Sequence, residues 1–247
     1  MESPFPEPIP AGTRLIETFS WWPGRGARRL SAHLARMAGS ARALGFPFDV
    51  NAARSRVAGL DAEGALRCRL TLGAAGDLDL TVVALPPAHD RPWRVAIHPE
   101  RLCAGDPWLA HKTTNRALYD RARTDFPDGV DEFLFLNDRD EVCEGTITNL
   151  FVTLADGRKV TPPQSSGLLP DILRGAMVAQ GKVTEAVVTR QMLVDATSIT
   201  LGNSLRGEIP AQVLTAPAAS GAHPIRAKSR KSDPKAGCHG PERLPRS

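Results

Sequence analysis

Apolar and β-branched residues crowd Thr13 to Trp22 (TRLIETFSWW) and stop at Pro23-Gly24, a pattern that predicts a strand entering a turn. The period then changes. Leu34, Met37, Ala41 and Leu44 recur at spacings of three and four, which predicts a helix with Ser31 as its cap and Gly45 as its left-handed terminator. A second helix is predicted from about Asp49, with Val50, Ala53, Val57 and Leu60 as its buried stripe. Leu66 to Leu72 and Leu78 to Leu85 flank Gly73-Ala74-Ala75-Gly76-Asp77 like the arms of a hairpin, and Trp93 to His98 supplies another strand.

Gly105-Asp106-Pro107 breaks any regular element, so an interdomain linker is placed at 103–110. Beyond it a helix is expected at Arg116 to Ala122 and a strand at Glu132 to Leu136. The turn Asn137-Asp138-Arg139-Asp140 leads into a single long strand, Val142 to Thr153. A further hairpin turns at Ala155-Asp156-Gly157, and a helix from about Asp171 to Gln180 ends at Gly181. Strands near Val183 to Val188 and Ile199 to Gly202 bracket a short helix capped by Thr189. This order predicts an α+β chain in two parts, 1–102 and 111–214, rather than a doubly wound sheet.

Composition refines the picture. With 247 residues, 42% of them hydrophobic, the chain can build one large core or two smaller ones. No apolar run reaches the length of a membrane span and no secretory leader is evident, so a cytoplasmic location is expected. The four cysteines lie far apart without CxxC pairing, which signals neither a zinc site nor a disulfide framework. The net charge is +4, yet residues 215–247 hold seven Lys/Arg against two Asp/Glu. The body is therefore about neutral. That distribution argues against nucleic-acid binding by the body and leaves a basic tail, poor in large apolar residues and expected to be disordered.

Four separated segments carry candidate chemistry, and each alone has a bland reading. Lys112, in Ala110-His111-Lys112-Thr113-Thr114-Asn115-Arg116, sits just after the linker; in a desolvated pocket its amine would lose its proton readily and could condense with an aldehyde. Glu144, in Val142-Cys143-Glu144-Gly145-Thr146-Ile147-Thr148-Asn149, stands among mainly uncharged neighbours, and strand alternation puts it on one face with Thr146 and Thr148. Such a carboxylate could pair with a protonated pyridine nitrogen. Leu169-Pro170-Asp171-Ile172-Leu173 opens a helix whose first N–H groups, those of Ile172 and Leu173, could hold a phosphate. Gly202-Asn203-Ser204-Leu205-Arg206-Gly207 is a polar turn that could add a hydroxyl.

The order of these segments resembles the fold-type IV pyridoxal-phosphate enzymes, or class IV aminotransferases, over roughly Leu15 to Leu214. That resemblance implies a two-domain fold of the D-amino-acid aminotransferase type, usually dimeric, acting on a small-molecule amino substrate without membrane or nucleic-acid partners. It implies that Lys112 is the Schiff-base lysine and catalytic residue, and that Glu144 faces the pyridine nitrogen with Asn149 in the same motif. His33-Leu34-Ala35-Arg36 is similar to the family's HxxR helix, which gives Arg36 to the cofactor phosphate together with Ile172, Leu173 and Ser204. Thr18, Arg69 and Arg101 are candidates for contacting the substrate.

Within the family, Lys-Thr-Thr-Asn-Arg and GNSLRGEIPA are similar to aminodeoxychorismate lyases, whereas branched-chain aminotransferases usually carry a tyrosine where Arg116 stands. The reaction expected is conversion of 4-amino-4-deoxychorismate to 4-aminobenzoate and pyruvate. The alternatives are an amino-acid aminotransferase and a member that has lost catalysis and binds a partner. Asp171 replaces the family's usual glycine after Leu-Pro, and the segment before Glu17-Thr18-Phe19 is shorter than usual, so part of the substrate wall is expected from elsewhere.

Overall fold

A computed structural model of the chain describes residue 5 and residues 8–88 and 90–214. The basic segment 215–247, expected to be disordered, lies outside the described residues.

Strand β1 (Arg14–Trp22) turns into the short β2 (Gly26–Ala27), then come helices α1 (Leu30–Leu44) and α2 (Val50–Ala58) and the hairpin β3 (Leu66–Gly73) and β4 (Leu78–Ala84). These strands form an antiparallel sheet in the order β2-β1-β3-β4. Its logic is two-sided. Cys68, Leu70 and Leu72 are fully buried against Leu34, Met37 and Ala41 of α1, while Arg67 and Arg69 alternate onto the opposite face, across from Ser20 and Thr18 of β1. Gly45 takes the expected left-handed terminator position, with φ of 71°. Two details differ from expectation. Helix α1 starts two residues earlier, after Arg29 at φ 54°, and Ser31 lies inside it rather than capping it. Asp49 does cap α2 through the N–H groups of Asn51 and Ala52, but Val50 is 39% exposed and Leu60 lies past the last turn.

A second sheet follows from β5 (Trp93–Leu102), α3 (Ala117–Thr124), β6 (Glu132–Asn137), β7 (Val142–Gly145), β8 (Asn149–Thr153) and β9 (Lys159–Thr161). Its last elements are α4 (Ile172–Ala179), β10 (Thr184–Glu185), α5 (Arg190–Val194), β11 (Ser198–Asn203) and β12 (Gly207–Val213). The strand order is β10-β9-β8-β11-β12-β5-β6-β7, and β7 also pairs with β8, which curls the sheet into a barrel-like ring. Strand β5 pairs with β12 and β6, so the change from one sheet to the other falls before Trp93 and not at 103–110. The chain through Leu214 forms one compact unit.

The long strand expected from Val142 to Thr153 is two strands. Thr146-Ile147-Thr148 folds back, so that Glu144 of β7 pairs with Asn149 of β8. The cause is Glu132, fully buried, whose carboxylate accepts from the Thr146 and Thr148 hydroxyls and from the N–H groups of Thr146 and Ile147. A buried carboxylate needs several donors, and here the loop supplies them. Glu144 consequently does not share a face with Thr146 and Thr148, contrary to simple alternation. Among the described residues no helix is long and apolar enough to cross a membrane.

Phe151, fully buried on β8, is the residue on which Leu173 and Met177 of α4 pack. Phe151→Ala is expected to cost about 3–5 kcal/mol of stability by leaving a cavity under α4, read as a lower midpoint in urea unfolding; a change below about 1 kcal/mol would refute the packing role.

Candidate active site

Lys112 is placed by β1. Its carbonyl accepts from Ile16 N at 2.8 Å, Thr114 N donates to Arg14 O at 2.9 Å, and Leu15 bridges Thr113, so residues 112–114 run as a short extra edge on the first sheet. The side chain extends from that edge into a cleft formed by two joined cavities of about 350 and 330 Å3, which share Lys112, Arg116, Ile147 and Asp171. Among the described residues no group forms a hydrogen bond or ion pair with its amine. Burial and the nearby Arg36 guanidinium bring the pKa of Lys112 down to about 8, against the opposing pull of Asp171 and Glu17. The amine is thus neutral in a far larger share of molecules near physiological pH than that of an ordinary lysine, though the protonated form still predominates.

Glu144 borders the first cavity and is 6% exposed. Tyr119 donates its hydroxyl to Oε1 at 2.7 Å, and Leu169 N and Asn149 Nδ2 donate to Oε2 at 3.1 and 3.3 Å. Burial nevertheless outweighs these bonds and raises the carboxyl pKa to about 7. Asn149 does a second job: its Nδ2 also donates to Leu169 O and its Oδ1 accepts from Asp171 N, so one amide clamps the turn that opens α4.

Arg36 borders the second cavity. Its Nε and Nη2 donate to Glu17 Oε1 and Oε2 at 2.8 and 2.7 Å, and Nη1 donates to Pro170 O at 3.1 Å. Glu17, 1% exposed, also bonds His33 Nδ1 at 2.5 Å, and His33 Nε2 shares a bond of 2.9 Å with Ser204 Oγ. Burial alone would raise the Glu17 pKa, but Arg36 and His33 hold it below the ordinary carboxylate value. The network Ser204–His33–Glu17–Arg36 fixes a hydroxyl and a guanidinium in one place.

The remaining expected residues divide. Thr18 and Arg69 line the second cavity with Lys112 and Ser204. Arg101 lines the first, where its guanidinium is held by Asp140 at 2.6 Å. Leu173 turns its side chain into the core beneath α4, and its N–H is taken by the Asp171 side chain at 2.8 Å. Asp171 thus caps the helix and sits 4.0 Å from Arg36. Glu17, Glu132 and Tyr119 were not picked out as site residues by the sequence reading. A lone acidic residue inside an apolar strand was the available signal for the two glutamates; nothing local marked the tyrosine.

The Arg36 guanidinium and the Ser204 hydroxyl stand at one end of the cleft and the buried Glu144 carboxyl at the other. The Lys112 amine, without a hydrogen-bond or ion-pair partner among the described residues, borders both cavities. Ile172, at the start of α4, lines a neighbouring cavity with Arg36 and Asp171. An amino-transferase class IV family model matches residues 14–214. The chain belongs to that family. A structure from Mesorhizobium loti, provisionally assigned as an amino-acid aminotransferase, is 38% identical with a TM-score of 0.76, covering 82% of this chain and all of that one. The 4-amino-4-deoxychorismate lyase of Pseudomonas aeruginosa is 25% identical with a TM-score of 0.66, covering 81% of this chain and 82% of its own. The branched-chain amino acid aminotransferase of Escherichia coli, at 23% identity and a TM-score of 0.66, covers 82% of this chain and 77% of its own and shares the fold. No curated protein matches the chain.

For this class IV chain the donor set suits pyridoxal phosphate. The start of α4 already binds an anion, the Asp171 carboxylate, through the Leu173 N–H, and the same donor would serve a phosphate oxygen. A phosphate placed there would have to displace the Asp171 carboxylate from that N–H. Asp171→Gly releases the N–H, removes a negative charge, and gives up only a few tenths of a kcal/mol as a cap. It is expected to tighten pyridoxal phosphate binding about fivefold in an absorbance titration; unchanged or weaker binding would show that the carboxylate does not compete.

Proposed function

We propose that this chain is a pyridoxal-phosphate lyase converting 4-amino-4-deoxychorismate to 4-aminobenzoate and pyruvate, a folate precursor step. The observation that carries the reading is the position of its one tyrosine. Tyr119 is the only tyrosine in the sequence and its hydroxyl is spent on Glu144. Arg116 stands where branched-chain aminotransferases usually place a tyrosine, and its Nη2 and Nε are committed to Thr146 O and Asp120. The reading includes a cytoplasmic homodimer acting on a small-molecule amino substrate, without a membrane or nucleic-acid partner.

In this reading Arg36, the N–H groups of Ile172 and Leu173 and the Ser204 hydroxyl hold the cofactor phosphate. Glu144, with Asn149 behind it, faces the pyridine nitrogen. Pyridoxal phosphate, when bound, supplies an electron sink for the carbon that carries the substrate's amino group. Lys112 is the residue that would hold the cofactor through its Nζ, and a substrate amine bound in its place would leave that Nζ free. Its freed Nζ then takes the proton from the ring carbon bearing the amino group. The ring becomes aromatic as the enolpyruvyl C–O bond breaks, and Lys112 Nζ returns a proton to the methylene carbon of the departing enol, giving pyruvate. Thr18 and Arg69 are proposed to contact the substrate ring and a carboxylate, with Arg101 at the outer rim.

The 38% identity to the Mesorhizobium loti protein favours a second reading, an amino-acid aminotransferase. The two separate in one assay. With 4-amino-4-deoxychorismate alone the lyase forms 4-aminobenzoate and pyruvate in equal amounts; product formation only when an amino acid and a 2-oxoacid are both supplied would establish the transaminase instead. The low pKa of Lys112 gives a second expectation. The rate of cofactor capture should rise about tenfold per pH unit at low pH, as the amine loses its proton, and level off above about 8. Lys112→Ala should abolish the visible absorption band of the bound cofactor, and a band that persists would assign the linkage to another amine.

A further inference from the structure

The second cavity is more basic than a phosphate and one carboxylate require. Seven cationic side chains border it against two carboxylates, Asp120 and Asp171. Arg36 is balanced by Glu17 and Arg116 by Asp120. Lys112 and Arg69 already have places in the proposed reaction. Arg67 of β3, Arg123 at the end of α3 and Arg206 in the β11–β12 turn have none.

These three come from distant parts of the chain and converge without ion-pair partners among the described residues. Arg123 donates one N–H to Thr146 Oγ1 at 2.9 Å. Arg206 lies over the Trp93 ring, 5.8 Å from its centre. The Nε atoms of Arg67 and Arg206 are buried without a hydrogen-bond partner. Burial, then repulsion from Arg123 and Arg67, holds the Arg206 pKa below the usual guanidinium value. Arg69 is lowered the same way, by burial and then by Arg116 and Arg67. Glu132 is the carboxylate behind them that opposes this on Arg206, but its oxygens are already bound by the Thr146–Thr148 loop. Unpaired guanidinium groups crowded into a partly shielded cleft repel one another, and an anion that accepts from two of them at once relieves that repulsion.

We propose that Arg67, Arg123 and Arg206 form a second anion subsite that receives a substrate carboxylate remote from the amino group, so that the cleft selects amino substrates with two carboxylates over monocarboxylic amino acids. The assignment rests on the reading of this cleft as the substrate site. It adds a specificity device: Arg69 and the cofactor end hold one part of the substrate, and the trio holds the other. A planar guanidinium suits a carboxylate through paired N–H donors, and three of them distinguish one carboxylate from two by charge as well as by shape.

Calorimetric titration of the cofactor-loaded protein with benzoate, isophthalate and inorganic phosphate tests this. Isophthalate is expected to bind at least about tenfold more tightly than benzoate, the worth of roughly one charge-assisted hydrogen bond. Arg206→Met should remove most of that advantage while changing benzoate affinity less than about twofold. The visible band of the bound cofactor should be unchanged. Arg67→Met serves as the second variant should the first fail to fold. Equal affinities for benzoate and isophthalate in the natural protein, or an advantage that survives both substitutions, would overturn the subsite. Tighter binding of phosphate than of isophthalate would overturn its carboxylate class. A protein that shows no visible band with pyridoxal phosphate would defeat the cofactor reading, and the same titrations on the protein alone would still decide the subsite.

Discussion

Glu17 is almost completely removed from water and still carries its charge, and the rest of the cleft is arranged around that fact. A carboxylate so deeply buried is tolerable only with close cationic and hydrogen-bonding partners. The partners are Arg36 and His33, one helical turn apart on α1, so the burial fixes the angle at which α1 lies on β1. His33 passes the constraint on to Ser204 in the β11–β12 turn, and Arg36 passes it on to Pro170 at the opening of α4. Four segments far apart in the chain are thereby tied to one another. Removal of Arg36 or of Glu17 leaves the other's charge buried without its main counter-ion, whereas removal of Ser204 or of the Pro170 contact costs a hydrogen bond.

The placement of Lys112 depends on a different constraint, the backbone pairing of residues 112–114 with β1. An edge segment held by main-chain hydrogen bonds presents its side chain in a fixed direction, and the cleft wall then supplies the desolvation that lowers the Lys112 pKa. The charge along the cleft is graded. At the Glu144 end a carboxyl is raised toward neutrality, and at the Arg36 end guanidinium groups outnumber their counter-ions. A cleft graded in this way orients an anionic ligand before any reacting atoms meet.

Local pattern made much of the fold legible. Leu34, Met37, Ala41 and Leu44 gave α1 its buried face, Gly45 its end, and the alternation around Gly73 to Asp77 a hairpin. Thr189 was recognisable as a cap, and Asp49 as the neighbourhood of a helix start, because capping acts over three residues. The break at Thr146 to Thr148 was not legible, since its cause is Glu132, a residue on another strand whose buried charge draws the loop inward. Ser31 failed as a cap for a similar reason: the approach of the chain through Arg29 sets where α1 begins.

The sequence by itself determined most of the helices and the hairpins and, through the likeness of its spaced motifs to class IV enzymes, singled out Lys112, Glu144, Arg36 and Ser204, which border one cleft. Local periodicity and motif order are properties of neighbours along the chain. Tertiary structure alone decided that Tyr119 is spent on Glu144, that Asp171 holds the Leu173 N–H, and that Arg67, Arg123 and Arg206 converge. Hydrogen bonding and burial act between residues far apart in sequence, and no spacing rule records which of them will meet.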